Sequence, residues 1–385
     1  MSLKHLSLLA LASFAYAQTN ETVPDLAQAL GSTADLSMLN GVLAGSPELL
    51  GQLGGLSNIT ILAPSNAAFA EVDNATLSGL TANAGLLTAL LQYHVLNGTY
   101  MASAITNTSA FVPTALTNPM FTNVTGGQRV EAINRDGNVT IYSGLLSNSS
   151  VTTADVAFTG GVIHIIDRLL VIPESASNTL SAANLTSLRG ALNATQLVET
   201  VDTTPNVTIF APSNEAIQNV FSAFANLTTE QITDVLTYHV VSGLGYSSGL
   251  ENGTELTTLN GESLTVTIGE GGVFVNNARV IVSDVLIANG VVHVIDEVLN
   301  PTNKTLADTG ADEGESAFEG ATPASDVPFT SGQPTPTATI GSEATEAADP
   351  TATPAPSDSA AGAAPMQTGA IGMGVLFGAA AVFLM

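Results

Sequence analysis

The chain contains no cysteine. Disulfide staples, thiolate nucleophiles and Cys-ligated zinc or iron–sulfur sites are therefore excluded, and stability has to come from buried apolar surface. Positive charge is nearly as scarce: seven Lys plus Arg stand against 33 Asp plus Glu, a formal net charge of −26. No basic patch can neutralise several phosphates, which excludes nucleic acid as a partner. The same acidity turns the chain away from anionic membrane surfaces and reads as solubility and self-repulsion. Also missing are the G-x-x-x-x-G-K-[ST] phosphate loop, the H-E-x-x-H zinc helix and the EF-hand loop. No cofactor is implied. What remains is 385 residues, 45% hydrophobic and 10% charged, enough for two cored domains with extensions.

Those two domains are visible as a duplication. I-T-I-L-A-P-S-N-A-A-F (Ile59–Phe69), Q-Y-H-V-L (Gln92–Leu96) and G-V-I-H-I-I-D (Gly161–Asp167) recur in the same order. The second set is V-T-I-F-A-P-S-N-E-A-I (Val207–Ile217), T-Y-H-V-V (Thr237–Val241) and G-V-V-H-V-I-D (Gly290–Asp296). Residues 18–173 and 174–303 are thus tandem copies of one domain.

Within each copy the patterns point to helices first and strands after. Leu36, Leu39, Val42 and Leu43 have helical spacing, broken by Gly45 and Pro47. Ile59–Leu62 reads as a buried strand ended by Pro64, after which Ser65 or Asn66 can cap a helical turn. Asn66 and Asn214 are read as capping or turn residues. A helix around Leu86–Val95 places Leu87, Leu90, Leu91 and His94 on one face. Ile232, Val235, Leu236 and His239 repeat it, with Thr228 and Gln231 as a capping box. Arg129–Asn134 and Asn138–Ser143 flank a hairpin turn, matched by Ser263–Ile268 and Val273–Val275. An early strand that returns to a late sheet argues α+β rather than a doubly wound α/β fold.

The ends carry processing signals. Met1–Ala17 has a charged start, the apolar run Leu6–Phe14 and an Ala15-Tyr16-Ala17 cleavage site, so the mature chain is expected to begin at Gln18. Residues 304–361 are rich in Ser, Thr, Pro, Ala and acids, the composition of a disordered, O-glycosylated stalk. Residues 362–385 read as a removable GPI-attachment signal, the apolar run Ala370–Met385 being short for a membrane span and lacking a basic residue after it. Ser359 is the expected attachment residue, with Asp358 and Gly362 as rivals. N-x-[ST] acceptors stand at Asn20, Asn58, Asn74, Asn97, Asn107, Asn123, Asn138, Asn148, Asn184, Asn193, Asn206, Asn226, Asn252 and Asn303. Asn58 and Asn206 occupy matching places in the two copies.

The three repeated blocks resemble the fasciclin-like domain family over about Val23–Pro173 and Ala176–Pro301. The resemblance implies two α+β domains, each a β-wedge packed with several helices, found on cell surfaces or in extracellular matrix. It implies adhesion through cell-surface or matrix proteins or wall polysaccharides, and no enzyme activity. The family's Asp–Ile adhesion element corresponds to Asp155-Val156 and Asp284-Val285, with Val in place of Ile. Its Tyr-His element corresponds to Tyr93-His94 and Tyr238-His239. No Arg-Gly-Asp occurs, and the second copy has Ile217 where the family prefers Phe. The expected molecule is a secreted glycoprotein held at the plasma membrane or wall by a GPI lipid, fungal in style, with a vacuolar destination left open. The alternative is a non-adhesive binding module for a polysaccharide or a lipid-like ligand.

The chemistry-bearing residues give little support to catalysis. His94, His164, His239 and His293 all sit in apolar stripes or strands, which favours neutral, hydrogen-bonded structural histidines over metal or acid–base pairs. Asp167 and Asp296 are read as acceptors for nearby backbone donors. Gly245–Gly249 fits G-x-S-x-G, but a turn and a glycan acceptor follow where a nucleophile elbow needs a helix. The carboxylates are scattered, densest over Asp308–Glu319, and nothing favours a glycosidase pair.

Overall fold

The computed structural model describes residues 23–337. The leader segment, Asn20, the stalk beyond residue 337 and the attachment candidates Asp358, Ser359 and Gly362 lie outside the described residues.

Each copy builds a seven-stranded sheet. In the first, the strands are β1 (Ile59–Pro64), β2 (Val95–Asn97), β3 (Ala110–Pro113), β4 (Arg129–Arg135), β5 (Asn138–Tyr142), β6 (Asn148–Phe158) and β7 (Gly161–Ile166). Their order is β2-β1-β7-β6-β5-β4-β3, and a bridge from Leu96 to Thr114 brings the two edges together. In the second, β8 (Val207–Pro212), β9 (Val240–Ser242), β10 (Glu255–Thr257), β11 (Ser263–Gly269), β12 (Gly272–Val275), β13 (Ala278–Ile287) and β14 (Gly290–Ile295) take the equivalent order, with a Val241–Thr258 bridge. The result is a near-closed wedge with helices against one outer face. Helices precede the sheet, and the early strand pairs in parallel with the last one, β1 with β7 and β8 with β14.

The period of two explains why these central strands are apolar at nearly every position. Ile59, Ile61 and Ala63 pack with the helices, as do Ile163 and Ile165, whereas Leu62 and Ile166 point into the wedge. In the second copy Val207, Ile209, Val292 and Val294 face the helices, and Phe210 and Ile295 face the wedge. Strands buried on both faces need apolar side chains on both. The glycine that opens each closing strand is set by contact: a Cβ on Gly161 would lie 1.9 Å from the Ile59 carbonyl oxygen, and one on Gly290 1.9 Å from that of Val207.

The helix Ala84–Tyr93 ends with His94 as its cap, so Val95 already belongs to β2. Its copy, Thr229–Tyr238, starts with the Thr228–Gln231 capping box and ends at His239. Ser65 and Ser213 are the N-caps of the turns after β1 and β8. Asn66 instead reaches across to Ala34, Ser37 and Met38, and Asn214 to Asn184, Thr186 and Ser187, tying early helices to the sheet.

The expectation of a disordered stalk from residue 304 differs from the structure over 304–337. This stretch has no helix or strand, yet it straps the second domain. Ala307 and Glu315 N–H groups donate to Asn276 and Asn277 carbonyls, and Thr309 accepts from Gly271 N–H at 2.8 Å. Phe318 lies 5.7 Å from Phe224 and Phe329 5.8 Å from Phe221. Composition missed this because a few anchors and backbone hydrogen bonds hold the strap, not a run of apolar residues. Gly190 and Gly271 make room for it, since a Cβ on either would lie 1.9 Å from a strap carbonyl oxygen.

The two domains are docked rather than strung out. Gln128, fully buried, donates to the Ile287 carbonyl, and Asn123 N–H donates to that of Ala288 at 2.7 Å. Thr125 N–H donates to Asn206 Oδ1, whose Nδ2 donates back to Thr125 Oγ1. Phe111 stacks on Tyr246 at 4.1 Å.

Candidate functional site

The residues matched to adhesion elements form, in each domain, an internal network. Tyr93 closes the helix Ala84–Tyr93, is fully buried, and donates from its hydroxyl to the Arg129 carbonyl of β4. Tyr238 does the same toward Ser263 and accepts from Asn276 Nδ2. Burial pushes both phenols up, Tyr93 strongly. His94 Nδ1–H donates to the Leu90 carbonyl at 2.8 Å, and its Nε2 accepts from Leu170 N–H at 3.0 Å. His239 repeats this with Val235 and Leu299. Burial lowers both imidazoles to about 4 against the weaker opposing effect of those carbonyls, so the rings are neutral above that pH.

Asp155 and Asp284 sit at bulges in β6 and β13, with φ of 61° and 63°. Each backbone N–H donates to the histidine of the closing strand, Asp155 to His164 Nδ1 at 3.1 Å and Asp284 to His293 Nδ1 at 3.2 Å. The far nitrogens donate to the Tyr100 and Gly245 carbonyls, which sets the Nε2–H tautomer in both. Each carboxylate then caps a short 3-10 turn: Asp155 accepts from Ala102 N–H, and Asp284 from the N–H and hydroxyl of Ser247. Asp167 accepts from Ser149 and Ser150, and Asp296 from Arg279 and Gly314 N–H groups.

Of the eight matched residues only Asp155 and Val156 are half-exposed, whereas Tyr93, His94, Tyr238, His239, Asp284 and Val285 are buried. The structure brings the Asp–Val elements to the closing-strand histidines, and leaves the Tyr-His elements apart from them at the helix ends. A buried tyrosine cannot meet a partner without unfolding its helix end, so six of these residues serve the fold. The sequence carried a signal of this in the apolar positions around each histidine, but the backbone partners are invisible to it.

Ser247, Asp284 and His293 lie near one another beneath the G-x-S-x-G match, but not as a triad. The Ser247 hydroxyl is bonded to Asp284, and both ring nitrogens of His293 are taken by backbone groups. The His293 imidazole is therefore not free to accept the serine proton, as nucleophilic catalysis requires. Among the described residues, no group of three or more His, Cys, Asp or Glu is placed to hold a metal ion. None of their helices is long and apolar enough to cross a membrane.

What the surface does present is glycan acceptors. Asn58, Asn74, Asn97, Asn107, Asn123, Asn138, Asn148, Asn184, Asn193, Asn226 and Asn252 are exposed, and Asn206 and Asn303 are half-buried. Asn206 has lost the freedom of its counterpart Asn58 because it is part of the interdomain contact.

The fold is a pair of docked α+β wedges, each cross-braced by two histidines whose ring nitrogens are taken by backbone groups. The fasciclin domain model matches residues 34–173 and 183–301, and the chain belongs to that family. The chain is 38% identical over 315 residues to a fasciclin-like arabinogalactan protein of Arthroderma benhamiae, covering 80% of this chain and 74% of that one. It is 31% identical over 298 residues to fasciclin-like arabinogalactan protein CTB11 of Cercospora beticola, covering 75% and 79%. Among solved structures it is similar to a FAS1 domain pair from the insect cell adhesion molecule fasciclin I, with a TM-score of 0.34, 22% identity, and coverage of 69% and 96%.

Proposed function

We propose that this is a secreted, N-glycosylated adhesion and wall-organising protein, held at the cell surface by a GPI lipid at Ser359. The observation that carries the reading is the contrast between buried motif residues and exposed glycan acceptors on both domains. The two domains then act as one scaffold, and their sugar-bearing outer faces meet wall polysaccharides or matrix proteins. Similarity to fasciclin-like arabinogalactan proteins, named for their glycans, supports the same reading. Many weak contacts on one body add up by avidity. Residues beyond the strap serve as the spacer that lifts this body from the membrane.

Deleting the protein in its own cells and scoring attachment to neighbouring cells and wall polymers tests it. Attachment should fall, and the full chain should restore it. A chain stopped before Asp358 should be shed into the medium and fail to restore it. Unchanged attachment in the deletion strain would overturn the adhesive reading, and rescue by the shed form would overturn the anchor.

A further inference from the structure

The dock between the domains forms an open cleft of about 490 Å³, on whose rim the glycan acceptor Asn123 donates from Nδ2 to the Thr203 carbonyl. That volume falls within the roughly 300–1,000 Å³ typical of small-molecule sites. Its two walls differ in chemistry. The first domain supplies Leu86, Leu90, Phe121, Leu170 and Ile172, with Met120 beside them, 84% exposed. The second domain supplies Glu174, Asn178, Asp202 and Asn289, and among the described residues no Lys or Arg lines the cleft.

Asn289 is the informative residue. It is fully buried, and its Nδ2 donates to the Val201 and Thr204 carbonyls at 2.7 Å each. Those two bonds fix the amide orientation, since the flipped form would set oxygen against two oxygens. Its Oδ1 has no hydrogen-bond partner among the described residues. A buried acceptor left unpaired is costly, and Asn289 is one of the residues that line the cleft. The Asp202 carboxylate beside it is held in place by the N–H and hydroxyl of Ser177, at 2.8 and 2.6 Å. Burial raises the Glu174 carboxyl above its ordinary range.

We infer that this interdomain cleft binds an amphiphile with an apolar body and a hydrogen-bond-donating head, a hydroxyl or an ammonium group. The apolar body lies against the leucine-rich wall of the first domain. The head donates to Asn289 Oδ1 and the neighbouring carboxylates. An anionic head is rejected, because the cleft offers acceptors and negative charge with no cation to pair it. The site exists only while the domains are docked, so such a ligand also holds the dock shut.

The test uses the folded glycoprotein and three probes with one body and different heads: decylamine, decanol and decanoate, each below its micelle-forming concentration. Calorimetric titration and thermal shift read the binding. Decylamine and decanol should bind and raise the melting temperature, and decanoate should bind at least tenfold more weakly. Asn178→Trp and Leu86→Trp fill the cleft from its two walls at half-buried positions. Each should cut decylamine and decanol affinity tenfold or more while the unliganded melting temperature stays near that of the wild type. Glu174→Gln should weaken decylamine more than decanol. No binding of any probe would overturn the site. Equal binding of decanoate would overturn the head assignment. Binding that survives both tryptophan variants, themselves shown to be folded, would overturn the location.

Discussion

At the scale of single residues, the histidines and buried carboxylates decide how this protein responds to pH. His94 and His239 are lowered from 6.5 to about 4 by burial. Their contribution is therefore complete above about pH 6.5 and is lost as pH falls toward 4. Glu131 runs the other way. Burial, assisted by the nearby Asp284 carboxylate and opposed by the Ser109 hydroxyl at 2.5 Å, raises it from 4.5 to about 7. A raised carboxyl stabilises fully below its unfolded value near 4.5, and that stability is lost as pH rises through about 7. Glu131→Gln keeps the partner for Ser109 and removes the charge. It should leave stability near pH 5 almost unchanged and add of order 2 kcal/mol at pH 8. Urea unfolding at the two pH values reads the difference.

At the scale of elements, each domain is locked where its last strand slides in beside its first. The bulge at Asp284 aims one side chain and one N–H at two different partners, which a regular strand cannot do. Asp284→Ala removes the cap on Ser247 and places alanine at φ 63°, so it should cost about 2–4 kcal/mol. Asp284→Asn tolerates that φ and keeps an acceptor, so it should cost clearly less. Denaturation midpoints of the two variants check the order, and equal losses would count against the capping role. Much of this element level was legible in the sequence. The strand, Tyr-His and closing-strand blocks each announced their period, and the Thr228–Gln231 box announced its helix start. What could not be read was direction: Asp155 and Asp284 look like surface residues in sequence, and only the bulge turns their bonds inward. Likewise Asn66 and Asn214 looked like local caps, but their partners lie about thirty residues upstream.

At the scale of the whole molecule, three parts cooperate: two wedges and the strap of residues 304–337. The duplication was plain from three ordered blocks, whereas the dock was not, because its bonds run mostly through backbone carbonyls and amides. The strap was hidden by its own composition. Phe318→Ala together with Phe329→Ala should free it and lower second-domain stability by several kcal/mol, with proteolysis then starting between residues 304 and 337. Limited proteolysis followed by mass mapping would show it, and an unchanged cleavage pattern would argue that the strap is held by its backbone bonds alone.

The centre of the proposed function is a docked pair of domains that presents sugars for attachment. Beads coated with the glycosylated chain from Gln18 to residue 337, with and without enzymatic deglycosylation, test it directly on same-species cells and wall polymers. The glycosylated form should attach firmly, and most of that attachment should be lost with the sugars while the melting temperature shows the fold intact. Attachment that is undiminished after deglycosylation, or absent from both forms, would contradict it.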